Sequence, residues 1–185
     1  AALEQVREGQ PGWQPQTLMD VGAGPGTVMW AAAAVWPSLQ QVSSLERESA
    51  MIALGKRLAE HSEHSALKQA NWRQVDLTTE WDAASADLVT ASYVLNELTQ
   101  ADRRSLVSKL WSLTETVLVV IEPGTPEGFA AIREVREQLA GEGAHIAAPC
   151  PHSGACPMTE PDWCHFSQRI ARSQLHRRVK SGTLS

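Results

Sequence analysis

Two groups of residues in this chain have the types and the spacing to do chemistry. The first is a glycine-rich stretch over residues 20–27, DVGAGPGT. Glycine lets the backbone take positive φ and lets a ligand approach the main chain, and a helix that begins there offers unpaired N–H groups. The second is a segment of fifteen residues that holds every cysteine of the chain: Cys150, Cys156 and Cys164. These patterns predict a small-molecule site in the first group and a metal site in the second.

The spacing of the glycines narrows the ligand of the first group. A phosphate-binding P-loop needs G-x-x-x-x-G-K-[ST], and no lysine follows Gly26. A dinucleotide-binding turn needs G-x-G-x-x-G, and Thr27 stands where its third glycine belongs. A G-x-G-x-G run after an acidic residue instead resembles the first motif of class I S-adenosylmethionine-dependent methyltransferases. The resemblance implies that this loop wraps the methionine part of the cofactor, with five contacting residues: Asp20, Gly22, Ala23, Gly24 and Gly26.

Other predicted strand ends extend this resemblance. Glu46 ends the second predicted strand, where the family places a carboxylate that accepts both ribose hydroxyls. Asp76 ends the third predicted strand and is followed by Leu77, where the family contacts the adenine. Ser92 ends the fourth and begins the segment that would face the methyl group. The resemblance therefore implies a cofactor site spread over successive strand ends, where a doubly wound fold binds its ligands.

Candidates for catalysis follow the fourth and fifth predicted strands. They are Tyr93 and Asn96 in the segment SYVLNE over residues 92–97, and Glu122, which borders the same crevice. Methyl transfer from a sulfonium chiefly needs an in-line approach, because the leaving group is neutral. The segment lacks the two prolines of amine-methylating nucleic-acid enzymes, and no cysteine lies nearby for cytosine C5 methylation. Two hypotheses stay open: a methyltransferase, and a catalytically inactive cofactor binder.

The elements that must position these residues alternate between short aliphatic runs and helical patterns. This alternation is typical of βαβ units around a parallel sheet, so we expect an α/β, Rossmann-like, doubly wound fold of the class I methyltransferase type. Trp30, Trp36 and Trp111 are expected on helix faces that pack against the sheet. The predicted strands span about 17–21, 41–46, 71–76, 86–92 and 116–122, and the predicted helices about 26–35, 48–60, 101–113 and 127–140.

Charge is distributed unevenly along the chain. With 16 Lys and Arg against 21 Asp and Glu, the net charge of −5 excludes a protein that coats nucleic acid through its gross charge. Residues 1–162 carry a net −10, whereas the residues after Asp162 carry +5 and no acidic side chain. On a helix these cations would form one stripe, either a solvated surface or a site for RNA phosphates. The stripe consists of Arg169, Arg172, Arg177, Arg178 and Lys180.

The sequence also indicates the compartment of the protein and its relation to membranes. The longest apolar run, Val28–Trp36, has nine residues, fewer than the ~20 that span a bilayer, so we expect no membrane association. An odd number of cysteines without a signal peptide argues against a disulfide framework and for free thiols or metal ligands in a reducing compartment. The chain begins with Ala1 inside a helical pattern, so we expect a piece of a longer protein.

The cysteine segment is irregular, because prolines interrupt any helix or central strand in it. Clustered thiolates select zinc or an iron–sulfur cluster. For zinc, His152 or His165 would complete a site of three cysteines and one histidine. A four-iron cluster usually takes a fourth cysteine, and the chain has none left. The residues alone leave both metals open.

The two groups together resemble one family closely. They resemble the methyltransferase-like proteins associated with the small ribosomal subunit of mitochondria, and their bacterial counterparts. The resemblance covers about residues 18–180. The segments that carry it are DVGAGPGT at 20–27, YVLNEL at 93–98, IEPGTP at 121–126, CPH at 150–152 and DWCHF at 162–166.

This second resemblance implies an S-adenosylmethionine-binding fold with a four-iron, four-sulfur cluster on four cysteines. Cys150, Cys156 and Cys164 match three of these ligands. The fourth cysteine and the last two strands of the sheet would follow Lys180. The expected organisation is a cofactor-binding domain over 1–143, a cysteine-rich metal segment over 144–168 and a basic tail over 169–185 that leads into a missing part.

The implied partners are the small ribosomal subunit and its rRNA, bound by a monomer. The implied compartment is the cytoplasm in a bacterium or the mitochondrial matrix in a eukaryote. Three functions remain as hypotheses: an rRNA methyltransferase, an assembly factor that binds cofactor and RNA without turnover, and a small-molecule methyltransferase with a structural zinc.

Overall fold

A single parallel sheet forms the centre of the molecule. The computed structural model describes residues 1–150, 152–159, 161–168, 171, 174, 178 and 179. Within these residues five strands lie in the order β3-β2-β1-β4-β5, which confirms the expected α/β, doubly wound sheet. The strands are β1 Thr17–Val21, β2 Gln41–Glu46, β3 Asn71–Gln74, β4 Ala86–Ser92 and β5 Thr114–Ile121.

Helices connect successive strands, except β3 and β4, and cover both faces of the sheet. The described helices are α1 Ala2–Gly9, α2 Thr27–Val35, α3 Ser49–Ala59, α4 Ser65–Lys68, α5 Gln100–Ser112 and α6 Pro126–Gly141. Each helix that periodicity predicts is present, with its ends displaced by at most one residue. The short α4 and a 3-10 turn at Leu95–Glu97 were not predicted, because three or four residues are too few to show a helical period.

The topological switch point of the sheet lies between β1 and β4: β2 and β3 follow on one side of β1, and β4 and β5 lie on the other. Strand β1 pairs with β2 on one side and with β4 on the other, all parallel. At the amino ends, the Asp87 carboxylate accepts hydrogen bonds from the Gln16 and Thr17 main-chain nitrogens at 2.8 and 2.9 Å. These bonds hold β1 and β4 in register. The carboxyl ends of the two strands lie at the switch point of the sheet, and the crevice beyond such a point is where ligands bind in this class of fold.

Apolar side chains form one core layer on each face of the sheet. One layer packs β1 and β2 against α1, α2 and α4, and the other packs the strands against α5 and α6. Trp36 is fully buried in the first layer and Trp111 packs partly buried against the second, as expected. Trp30 corrects the prediction: it is 37% exposed, because Met29, Ala32 and Ala33 form the inner stripe of α2 and Trp30 points away from it.

Three strand boundaries also differ from prediction. Strand β3 ends at Gln74 rather than at Asp76, and β5 begins at Thr114 and ends at Ile121 rather than spanning about 116–122. No helix within the described residues is long and apolar enough to cross a membrane.

Candidate cofactor site and cysteine segment

The glycine loop joins the end of β1 to the start of α2. Gly22, Gly24 and Gly26 have φ of 66°, 53° and 90°, in the left-handed region where a side chain is strained. Gly26 is the N-cap residue of α2, and no side chain caps that helix end. The predicted glycines are thus needed for the backbone path, which leaves the first N–H groups of α2 available to a ligand.

Gly22 and Gly24 differ in the space around them. A β-carbon on Gly22 would lie 2.2 Å from Cγ2 of Val94, so the loops after β1 and β4 are in direct contact there. A β-carbon on Gly24 would meet no atom within 4 Å. Gly24 therefore faces open space in the crevice, whereas Gly22 closes its floor.

Glu46 stands beside the glycine loop at the end of β2. One carboxylate oxygen, Oε2, accepts a hydrogen bond from the Gly24 main-chain nitrogen at 2.7 Å, and Oε1 accepts one from Glu48 at 2.8 Å. Each carboxylate oxygen has a second lone pair that can accept a further bond. Glu46 thus fixes the loop and keeps the capacity to accept ribose hydroxyls.

Asp20 lies buried beneath the loop, with 1% of its surface exposed. Its Oδ1 accepts a hydrogen bond from Oγ1 of Thr90 at 2.7 Å, while Oδ2 has no partner in the described structure. Burial raises the pKa of this carboxyl from 3.8 to about 7; the hydrogen bond from Thr90 opposes that rise and the charge of Glu46 adds to it. Asp20 is therefore largely protonated below neutral pH.

The carboxyl end of β4 carries the catalytic candidates. Tyr93 has φ of 59°, unusual for an aromatic residue, and its ring is 61% exposed. Asn96 is also exposed. Glu122 contacts the main chain of this segment: its Oε1 accepts the Leu95 main-chain N–H at 2.7 Å, and burial raises the pKa of its carboxyl. Glu122 thus holds the loop after β4 in place.

Three buried oxygen atoms near these strand ends have no partner among the described residues. They are Oδ2 of Asp20, Oγ of Ser92 and Oε2 of Glu122. A buried polar atom left unpaired costs about 1–3 kcal/mol, so a ligand with several donors gains from pairing with them. The ammonium and hydroxyl groups of S-adenosylmethionine are such donors. The residues therefore fit the implied cofactor, which would supply an activated methyl group.

The position of Asp76 relative to β3 differs from the prediction. Asp76 lies two residues beyond β3, in a turn where its Oδ1 accepts hydrogen bonds from the nitrogen and the hydroxyl of Thr78 at 2.9 and 2.7 Å. These bonds lower the pKa of its carboxyl. Leu77 packs partly buried against the core layer under α5. Asp76 thus shapes a turn beside the crevice rather than ending a strand.

Trp72 connects the glycine loop to α3. A β-carbon on Gly55, in the middle of α3, would lie 2.4 Å from Cη2 of Trp72 and 3.2 Å from the Pro25 carbonyl oxygen. A β-carbon on Gly26 would lie 3.2 Å from the same Trp72 carbon. One indole ring therefore occupies the space of two missing side chains, a packing role that the sequence pattern did not reveal.

The cysteine segment lies against α6 and the loop after β5. Arg136 of α6 is 8% exposed, and its Nη2 donates a hydrogen bond to the His152 carbonyl oxygen at 2.7 Å. The indole Nε1 of Trp163 donates to the Gly124 carbonyl oxygen at 3.3 Å, and a β-carbon on Gly124 would lie 3.2 Å from Cβ of His165. The segment thereby returns to the same edge of the sheet as the crevice.

The candidate metal ligands are not gathered around one point. Cys150 and Cys156 are half-buried, Cys164 is exposed, and all three are free thiols. In the part of the chain that the structure describes, no three His, Cys, Asp or Glu side chains stand close enough to hold a metal ion. His152 and His165 are likewise exposed and belong to no such group. The donor types suit zinc or iron–sulfur, but the arrangement does not fit either group without rearrangement of the segment.

Most residues of the predicted RNA-binding stripe lie outside the part of the chain that the structure describes. Arg178 is exposed. The other four predicted positions lie outside the described residues: Arg169, Arg172, Arg177 and Lys180.

Family comparison identifies the relatives of this chain. The family described as mitochondrial small ribosomal subunit Rsm22 matches residues 1–185. The chain belongs to the Rsm22 family. A human relative, the mitochondrial ribosome assembly protein METTL17, is 33% identical over 181 residues, which cover 90% of this chain and 39% of the human protein. This membership confirms the resemblance to methyltransferase-like proteins of the mitochondrial small subunit.

A second Rsm22 relative extends the comparison to fission yeast. The mitochondrial Rsm22-cox11 tandem protein 2 of Schizosaccharomyces pombe is 28% identical over 185 residues, covering 88% of this chain and 24% of that protein. The chain thus spans less than two fifths of the length of these relatives.

Solved structures share the fold. An O-methyltransferase of a Brevibacillus brevis polyketide synthase, in complex with S-adenosyl-L-homocysteine, matches 76% of this chain and 50% of its own with a TM-score of 0.55 and 16% identity. The glycopeptide N-methyltransferase MtfA, complexed with S-adenosylmethionine, matches 64% of this chain and 52% of its own with a TM-score of 0.51 and 18% identity. At these identities the likeness shows the fold, that of class I methyltransferases.

Proposed function

We propose that this chain is the S-adenosylmethionine-binding part of a methyltransferase-like protein that acts in assembly of the small ribosomal subunit through its rRNA. Membership of the Rsm22 family over the whole chain carries the ribosomal part of the proposal. The cofactor part is supported by the open space at Gly24 and by the unpaired buried oxygens below it. In this proposal the glycine loop and Asp20 hold the methionine end of the cofactor, and Glu46 binds the ribose.

Cofactor binding is tested by a side chain placed in the crevice. In Gly24→Arg the long side chain fills the space that the cofactor needs, so binding of S-adenosylmethionine should disappear in isothermal titration calorimetry. Gly12→Arg is a matched control, because Gly12 also has positive φ and open surroundings but lies before β1. Unchanged affinity in Gly24→Arg, with both variants folded, would show that the cofactor does not bind at this loop.

A second candidate function is an assembly factor that binds cofactor and RNA without turnover. The position of Glu122 favours it, since this carboxylate binds the main chain of the neighbouring loop instead of facing an acceptor. Incubation of immature small subunits with S-adenosylmethionine tritiated on the methyl group separates the two functions. Label in the rRNA supports the methyltransferase, and tight rRNA binding without label supports the assembly factor.

We propose further that Cys150, Cys156 and Cys164 contribute to an iron–sulfur cluster, with zinc as the alternative. Family resemblance and the softness of three thiols support this, although binding requires the segment to close around the metal. Anaerobic purification followed by iron, sulfide and zinc analysis distinguishes the two. Zinc without iron or sulfide would reject the cluster and favour a structural zinc site completed by His152 or His165.

The oligomeric state and the cellular location follow from the same proposal. We infer a monomer located in the mitochondrial matrix of a eukaryote, since its relatives are named as mitochondrial proteins, or in the cytoplasm of a bacterium. A small-molecule methyltransferase is the remaining candidate. Loss of RNA binding after Arg177 and Arg178 are both changed to glutamate would argue against it.

A further inference from the structure

We propose that Tyr93, Trp163 and Phe166 form an aromatic platform on which unpaired RNA bases stack, beside the mouth of the cofactor crevice. This inference rests on the proposed contact with rRNA and names the kind of RNA that is bound: single-stranded nucleotides rather than a continuous duplex. We call these three residues the aromatic platform. Bases of every type present a π-face, so such a surface holds single strands with little sequence preference.

Exposure sets these rings apart from the other aromatic residues. Four aromatic side chains among the described residues are strongly exposed, and three of them belong to the platform. Tyr93 is 61% exposed, Phe166 69% and Trp163 39%. The fourth, Trp30, lies on the outer side of α2. Apolar rings gathered at one place on a protein surface mark an interaction site, whereas a single exposed ring needs no explanation.

Backbone contacts bring Tyr93 and Trp163 to one edge of the sheet, and Phe166 follows Trp163 by three positions in the chain. The Tyr93 nitrogen donates a hydrogen bond to the Ile121 carbonyl oxygen at 2.8 Å. Three residues beyond Ile121, the Gly124 carbonyl accepts the bond from the indole of Trp163. Three Cα–Cα steps span at most about 11 Å, so Tyr93 and Trp163 stand on neighbouring loops within reach of a few nucleotides.

The indole of Trp163 and the backbone that carries Tyr93 are held by contacts, which limits the ordering that binding would require. Hydrogen bonding to Gly124 fixes the indole of Trp163, and the His165 ring lies 5.7 Å from it at an interplanar angle of 30°. Tyr93 projects from a backbone with φ of 59°, and Glu122 anchors the next turn of that loop through Leu95. Rigid aromatic anchors of this kind carry much of the free energy at binding surfaces.

Charge favours RNA over a protein as the occupant. The sequence after Asp162 holds five basic residues and no acidic one, and the first of them follows Phe166 by three positions. Arg178 is exposed in the described part of that tail. Cations and exposed aromatic rings in one chain are the two elements by which proteins bind single strands: phosphates pair with the cations and bases stack on the rings. Since Tyr93 directly follows Ser92, a base stacked there lies at the crevice.

The test measures binding of the full chain to a fluorescently labelled, unstructured RNA of about ten nucleotides by anisotropy. Tyr93→Ala and Phe166→Ala should each weaken RNA binding about 5- to 150-fold, because each removes one stacking ring. The double variant should bind more weakly than either. Tyr93→Phe keeps the ring and should bind as the unchanged chain does. Trp30→Ala removes an exposed ring elsewhere, on the outer side of α2, and should also leave binding unchanged. Thermal unfolding confirms that each variant is folded.

An abasic RNA of the same length and a base-paired duplex separate this inference from the proposed function. Stacking predicts that both bind more weakly than the intact single strand and that the ring variants do not alter their affinity. Equal binding of intact and abasic RNA would refute the platform while leaving rRNA binding intact. If no RNA binds and the rings are needed for capture of a ribosomal protein, both the platform and the proposed RNA contact are wrong.

Discussion

The buried carboxyl of Asp20 makes the stability of the fold depend on pH in a direction that can be predicted. In the folded chain its pKa is about 7, against 3.8 for an ordinary aspartate. Between these two values the unfolded chain releases the proton and the folded chain keeps it, so folding becomes less favourable as pH rises. The full contribution is present below pH 4 and is lost above about pH 7. The difference corresponds to about 4 kcal/mol.

Asp20→Asn removes this titration while keeping an oxygen that accepts the hydrogen bond from Thr90. At pH 8 the variant should be more stable than the unchanged chain by up to about 4 kcal/mol, and near pH 4 the two should agree within about 1 kcal/mol. Free energies of unfolding from urea titrations at a series of pH values between these limits give the comparison.

Asp87→Asn provides a control of opposite sign, because hydrogen bonds from Gln16 and Thr17 outweigh burial and lower the pKa of Asp87. This variant should lose stability at neutral pH and approach the unchanged chain as pH falls. If the curves of Asp20→Asn and the unchanged chain run parallel from pH 4 to pH 8, the carboxyl of Asp20 is not held protonated by burial, and the reasoning fails.

Three other substitutions probe the site. Gly22→Ala should destabilise the fold by about 2–5 kcal/mol through backbone strain and overpacking, whereas Gly24→Ala should cost only the strain, about 1–2 kcal/mol, both by urea unfolding. Glu46→Gln should lower S-adenosylmethionine affinity at least about tenfold in calorimetry, since an amide oxygen accepts weaker hydrogen bonds than a charged carboxylate does. Unchanged affinity would show that Glu46 does not bind the cofactor. Arg136→Met should expose the cysteine segment to chymotrypsin, while Arg133→Met, on the same helix, should not.

Much of the fold could be predicted because local and tertiary preferences agree. Strands β1, β2 and β4 have the predicted bounds, since each is a short aliphatic run closed by a loop residue and buried on both faces. Strand β3 was predicted two residues too long. Val75 continues the apolar pattern, but its nitrogen makes the last bond to β2, through the Glu46 carbonyl, and Asp76 turns the chain by bonding Thr78.

The candidate site likewise has features that the sequence predicts and features that it does not. Glycine spacing predicts positive φ at three positions, because φ is a local property of the chain. Sequence could not show that Glu122 binds the loop after β4, or that Arg136 pins the cysteine segment, since both contacts depend on how distant elements pack. The exposed side of Trp30 was also missed: α2 is apolar on all sides, so its inner stripe cannot be identified from periodicity.

The indole of Trp72, wedged between the cofactor loop and α3, has a consequence for natural variation in this family. Gly55 stands in a helix that contributes no cofactor contact in the proposed site, yet even a serine there would press on Trp72 and on the Pro25 carbonyl. In a genetic survey, substitutions at Gly55 should therefore have the same kind of effect as substitutions in the glycine loop. A second substitution that replaces Trp72 by a smaller residue should suppress that effect. Coinheritance of a larger residue at position 55 with a smaller one at position 72 would be the record of that compensation.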